Sequence, residues 1–137
     1  MFSERIDIRT IRIKGQVFSG FGEGARFTEL SWFKEQVMSK LGFVPHPGTL
    51  NLKLDEEGKR ARTILEKAKS VVIVPKEGFC HGKCFKARVM DSVDGAIVIP
   101  EVKSYPDDML EVIAPISLRE KFRLRDGDTV VLDILLE

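Results

Sequence analysis

At 137 residues the chain is long enough for one domain that hides roughly two-thirds of its unfolded surface, so a core without disulfides is within reach. Lys plus Arg number 22 against 21 Asp plus Glu, which excludes a general pull toward nucleic acid or membrane and leaves any phosphate recognition local. Two cysteines exclude a disulfide framework. The charged amino end, Met1 to Asp7, lacks the apolar stretch of a secretory signal, and no apolar run reaches membrane-spanning length, so the expectation is a cytoplasmic protein.

The first predicted element is a strand: Ile11, Ile13 and Val17 alternate with Arg12, Lys14 and Gln16, and the run stops at Ser19-Gly20. After a glycine-rich turn, Trp32, Phe33, Val37, Met38 and Leu41 recur at helical spacing, with Gly42 and Pro45 as stop signals. Pro47-Gly48 turns the chain into a strand over Thr49 to Leu54, with leucines on one face and Thr49, Asn51 and Lys53 on the other. A second helix is expected around Lys59 to Ala68, then a strand at Val71 to Val74 limited by Pro75. Phe79 to Val89 reads as a hairpin about His81-Gly82, and strands follow at Gly95 to Ile99, Met109 to Ala114 and Thr129 to Leu135. Ser117-Leu118-Arg119-Glu120 has capping-box spacing, so a short helix starts at Ser117, and Asp126-Gly127-Asp128 makes the last turn. Six or so short strands, two or three short helices and no regular strand-helix alternation favour a small β-barrel over a doubly wound sheet.

Three constellations can carry chemistry. Gly20-x-Gly22-x-Gly24 after a strand lets successive N–H groups curl around a phosphate, although a flexible hairpin loop has the same signature and neither the Walker nor the dinucleotide spacing is matched. Thr49 and Asn51 stand two apart on one polar face, about 7 Å between α-carbons, and their oxygens can converge on one Mg2+ whose remaining ligands are waters and phosphates. Facing solvent on a half-buried strand is the other reading of that pair. Arg119 and the helix start at Ser117 suit phosphate or a base edge, and equally suit a surface capping turn. Glu111, inside the apolar run Met109 to Ile113, either faces outward by alternation or sits at the edge of a site. The stretch Cys80-His81-Gly82-Lys83-Cys84 invites a zinc reading. A turn at His81-Gly82 would pair Cys80 with Lys83 and point Cys84 to the opposite face, which argues against a shared metal.

Five segments in order, Ser19-Gly20-Phe21-Gly22-Glu23-Gly24, Pro47 to Lys53, Asp94 to Pro100, Glu111 to Glu120 and Asp126-Gly127-Asp128, resemble the motifs of the archaeal CTP-dependent riboflavin kinases. The resemblance covers nearly the whole chain. It implies a cradle-loop, Greek-key-like barrel of six strands that transfers the γ-phosphoryl group of CTP to the riboflavin 5′-hydroxyl, giving FMN and CDP with Mg2+. Carried over by position, it implies nucleotide contacts from Gly20, Phe21, Gly22, Glu23, Gly24 and Ala25 and from Ile116, Ser117, Leu118 and Arg119. It also implies metal contacts from Thr49 and Asn51 and a flavin contact from Glu111. Where relatives often carry a flavin-contacting Thr, eight residues before the Glu, this chain has Lys103, with Ser104 next to it as a substitute. Some relatives add a winged-helix DNA-binding domain, for which these residues leave no room. Rival readings are a flavin-binding barrel without kinase action and a DNA-binding or interaction barrel, the latter disfavoured by the near-zero net charge.

Overall fold

Strand β1 (Arg9–Phe18) keeps the alternation read from its residues: Ile13 and Val17 are buried, while Arg12, Lys14 and Gln16 are exposed. The computed structural model describes residues 9–20, 23–76 and 78–136, with the backbone alone for 23–25. The other strands are β2 (Leu50–Lys53), β3 (Val71–Ile73), β4 (Gly82–Val89), β5 (Val93–Pro100), β6 (Met109–Ile113) and β7 (Thr129–Leu136). They pair antiparallel in the order β3-β4-β5-β6-β2-β1-β7, and β7 returns to β4 through Ala87↔Ile134 and Val89↔Leu132. Six strands therefore close a barrel, as expected. The seventh, β3, shares one edge of β4 with β7, taking Gly82 to Cys84 and leaving Ala87 to Val89 for closure.

Inside the barrel, Ile13, Val17, Leu50, Leu52, Ile97, Leu110, Val112, Leu132 and Ile134 form the main core. Each such side chain contributes about 1.5–3 kcal/mol on burial. A second cluster lies outside the barrel wall, where Phe33, Val37 and Leu41 of α2 (Ser31–Leu41) cover Ala96, Val98, Ile113, Cys84 and Ile73. Both faces of β5 are thus dry from Gly95 to Ile99, which is why Ala96-Ile97-Val98-Ile99 reads as an unbroken apolar run.

The helix expected around Lys59 to Ala68 is α3 (Glu56–Glu66), starting earlier because the Asp55 carboxylate accepts the Gly58 N–H at 2.8 Å and caps the first turn. The short helix announced by Ser117 is α4 (Leu118–Phe122), with the Ser117 hydroxyl accepting the Glu120 N–H at 3.3 Å. A further helix, α1 (Glu23–Thr28), occupies the second half of the glycine-rich stretch, where the residues suggest only a turn.

The hairpin about His81-Gly82 is corrected. Gly82 opens β4 between Ile73 and Pro100, and Lys83 pairs with Val72 and Ile99 rather than with Cys80. The real hairpin turn joins β4 to β5 at Met90 and Asp91, both in left-handed backbone, with Ser92 N–H donating to the Val89 carbonyl at 2.9 Å. Met-Asp carries none of the Asn-Gly chemistry by which such turns are recognised, whereas His-Gly has the glycine that usually marks one. Cys80 is exposed and Cys84 is in the second core cluster.

Candidate functional site

Strand β2 lies between β1 and β6, and that placement assembles the polar cluster. Leu50 and Leu52 point into the barrel, so Asn51 points out, opposite Phe18 on one side and Glu111 on the other. Thr49, just before β2, shares that outer face. Its Oγ1 is 3.0 Å from Asn51 Oδ1 and 3.0 Å from Glu111 Oε1. A hydroxyl carries one proton, so it donates to one of these oxygens at a time. The result is a compact patch in which three hard oxygens, Thr49 Oγ1, Asn51 Oδ1 and Glu111 Oε1, lie together.

Glu111 is 7% exposed, and its second oxygen accepts from the Tyr105 hydroxyl at 3.0 Å. Burial pushes the Tyr105 pKa well above its ordinary value, the Glu111 charge and hydrogen bond push it further, and Arg62 opposes them. Tyr105 therefore stays a protonated donor throughout the neutral range. Glu111 shares the outer face of the sheet with Asn51, yet it is buried there and its carboxylate is held at both oxygens.

Three chain segments frame this patch. Gly20 abuts the Asn51 carboxamide so closely that a β-carbon there would collide with Asn51 Nδ2. The Ser19 hydroxyl lies 2.9 and 3.1 Å from the two oxygens of Asp126 and donates its one proton to that carboxylate, and Arg119 Nη2 donates to Asp126 Oδ1 at 3.0 Å and to the Phe18 carbonyl at 3.5 Å. Those bonds, led by the one from Arg119, hold the Asp126 carboxyl below its ordinary range. Beyond β1, the buried Thr28 hydroxyl at the end of α1 accepts the Gly48 N–H at 2.8 Å, tying the helix after the glycine loop to the turn before Thr49.

An open cleft joins Thr49 and Gly48 to Ile116, Ser117, Leu118 and Arg119. Thr49, Asn51, Glu111, Gly20 and the 116–119 segment are therefore neighbours. Phe21 and Gly22 lie outside the described residues, and Glu23, Gly24 and Ala25 belong to the first turn of α1. Lys103 and Ser104 are exposed in the segment that leads to Tyr105. Sequence reasoning missed Tyr105, Ser19, Asp126 and Thr28. The Ser19 and Asp126 letters were inside recognised motifs, but their partnership spans 107 positions and no local pattern reveals it.

The model of a family named for the CTP-dependent riboflavin kinase, and described as "Domain of unknown function DUF120", matches residues 17–134. The chain belongs to the CTP-dependent riboflavin kinase domain family. It is 43% identical over 137 residues to a riboflavin kinase of Archaeoglobus fulgidus, covering 95% of this chain and 57% of that protein. It is 44% identical over 137 residues to one of Pyrobaculum arsenaticum, covering 95% and 63%, and 38% identical over 141 residues to one of Methanosarcina barkeri, covering 98% and 60%. The chain thus spans about three-fifths of the length of these relatives. Within the family domain, the matched span contains all of the polar cluster and the cleft beside it. Among the described residues, no helix is long and apolar enough to cross a membrane.

Proposed function

We propose that this chain is a CTP-dependent riboflavin kinase, moving the γ-phosphoryl group of CTP to the riboflavin 5′-hydroxyl and releasing FMN and CDP in a Mg2+-dependent reaction. The new bond joins the flavin 5′-oxygen to phosphorus, the bond from the γ-phosphorus to its bridging oxygen breaks, and the hydroxyl proton is released. Family membership and the names of the relatives support the reading.

The observation that carries it is the Thr49–Asn51–Glu111 oxygen cluster, flanked by the Gly20 backbone and opening toward Arg119. Thr49 Oγ1, Asn51 Oδ1 and a neighbouring carboxylate are hard oxygen donors of the kind that suit Mg2+, so the residues fit the metal the family implies. When bound, Mg2+ neutralises charge on the phosphate oxygens. Thr49 and Asn51 would hold it. The residues from Gly20 to Ala25 and from Ile116 to Arg119 would hold the nucleotide, with the Arg119 guanidinium offsetting phosphate charge. Glu111, fixed by Thr49 and Tyr105, would orient riboflavin. Transfer through a loose transition state depends mainly on such positioning, so no dedicated base is assigned.

The test is to incubate the protein with riboflavin, Mg2+ and each of CTP, ATP, GTP and UTP, separating FMN by chromatography. FMN with CTP and much less with the other three is expected. Absence of FMN with every nucleotide would sink the proposal, and riboflavin binding in that case would point to a flavin-binding barrel, the outcome that Lys103 motivates.

A further inference from the structure

Tyr105 stands in the irregular segment between β5 and β6, with no strand or helix to hold it. Its ring is held from elsewhere. The Arg62 guanidinium of α3 lies over it at 5.5 Å from the centroid, and Arg62 Nη1 donates to the adjacent Pro106 carbonyl at 2.8 Å. Arg62 is 6% exposed, takes part in no ion pair among the described residues, and its Nε has no hydrogen-bond partner there. A buried cation so sparsely compensated is costly to keep. What it gains is the position of two consecutive residues, Tyr105 and Pro106.

The chain of contacts then runs in one direction: Arg62 locks the Tyr105 ring, the Tyr105 hydroxyl grips Glu111 Oε2, and Thr49 meets the other oxygen. A carboxylate gripped at both oxygens cannot spin, so the plane of its oxygens is fixed. We infer that Arg62 and Tyr105 are positioning residues that set the orientation of the Glu111 carboxylate and through it the recognition of the flavin substrate. The inference deepens the riboflavin kinase reading above and rests on it. Neither residue lines the cleft that holds Ile116 to Arg119, so the nucleotide side should not feel their loss.

Initial rates of FMN formation, with riboflavin and CTP varied separately, test this in the wild type, Tyr105→Phe, Arg62→Lys and the double variant. Tyr105→Phe keeps the ring on Arg62 and removes only the hydroxyl. Losing a hydrogen bond to a charged group should raise the riboflavin KM about tenfold or more. The KM for CTP should stay within about twofold, and Arg62→Lys should shift the riboflavin KM in the same direction. Because both residues act through one carboxylate, the double variant should be little worse than Tyr105→Phe alone. A merely structural role would instead lower the thermal midpoint and the active fraction without moving one KM against the other. An active wild type whose riboflavin KM is unchanged in Tyr105→Phe overturns the inference and leaves the kinase reading standing, even if Arg62→Lys does not fold. A wild type that makes no FMN removes both.

Discussion

Thr49 Oγ1 has two oxygen neighbours at equal distance, Asn51 Oδ1 and Glu111 Oε1, so hard oxygens from three residues lie together. Such a set suits a hard cation, and the proposed metal role rests on it. Replacing both Thr49 and Asn51 by Ala should lower Mg2+-dependent kcat/KM by at least about 100-fold. Both side chains are only half-buried, so the circular dichroism spectrum and thermal midpoint should stay close to the wild type. Equal turnover in the double variant would refute the assignment. Gly20 gives a subtler test. The atom that a new methyl would strike is the tip of the Asn51 side chain, which can rotate away, so Gly20→Ala should fold while displacing the proposed ligand. The Mg2+ concentration for half-maximal rate should then rise roughly tenfold. An unchanged Mg2+ dependence would show that Asn51 does not need the position it holds.

Among the elements, β5 is the most constrained, because it is walled by the core on one side and by α2 on the other. Gly95 pays for this with its side chain: a β-carbon there would run into the Ile113 carbonyl oxygen, a backbone atom of the neighbouring strand that cannot swing aside. Gly95→Ala should therefore destabilise the protein by about 1–3 kcal/mol, read from the urea midpoint at constant m-value. Helix α4 is short and leans on its cap. Removing the Ser117 hydroxyl with Ser117→Ala should cost about 0.5–2 kcal/mol in the same measurement, and no change would mean that the 3.3 Å bond to Glu120 contributes nothing in solution.

For the molecule as a whole, packing of α2 on the barrel wall separates two thiols of different reactivity. Burial pushes Cys84 up to about 12, while Cys80 is exposed, so an aromatic disulfide reagent should titrate one thiol in the folded protein and two after unfolding. The acid limb of stability has an identifiable origin as well. Hydrogen bonds from Arg119 and Ser19 lower the Asp126 pKa, and the bond from Arg12 lowers that of Asp133, both from 3.8. These carboxylates contribute stability that is present in full above 3.8 and fades as pH falls through their lowered values. Asp126 is exposed and Asp133 is partly so, and the effect is modest and screened by salt. Denaturation of Asp126→Asn across the acid range should show a shallower loss below pH 3.8 than the wild type, with the difference vanishing at high salt.

Period-2 alternation in Ile11 to Val17 and Leu50 to Leu54, the capping box at Ser117 and the dry run at Ala96 to Ile99 are local consequences of side-chain order. Together with the helical spacing of Trp32 to Leu41 and of Ala61 to Ala68, they make most of the strands, three of the helices and the barrel class legible in the order of the residues alone. Motif letters likewise mark Thr49, Asn51, Glu111 and the 116–119 segment as candidates. What the residues could not announce was partnership across distance. That Glu111 is buried beside polar partners turned on the β2–β6 register that sets it opposite Asn51, and on Tyr105 reaching it from an aperiodic segment. The pairings of Ser19 with Asp126 and of Arg62 with the Tyr105 ring depend on closure of the barrel and on packing of α3 near the loop before β6. Local propensities are encoded within a few neighbouring residues, whereas a site is assembled from segments whose meeting is decided only when the core they share is buried.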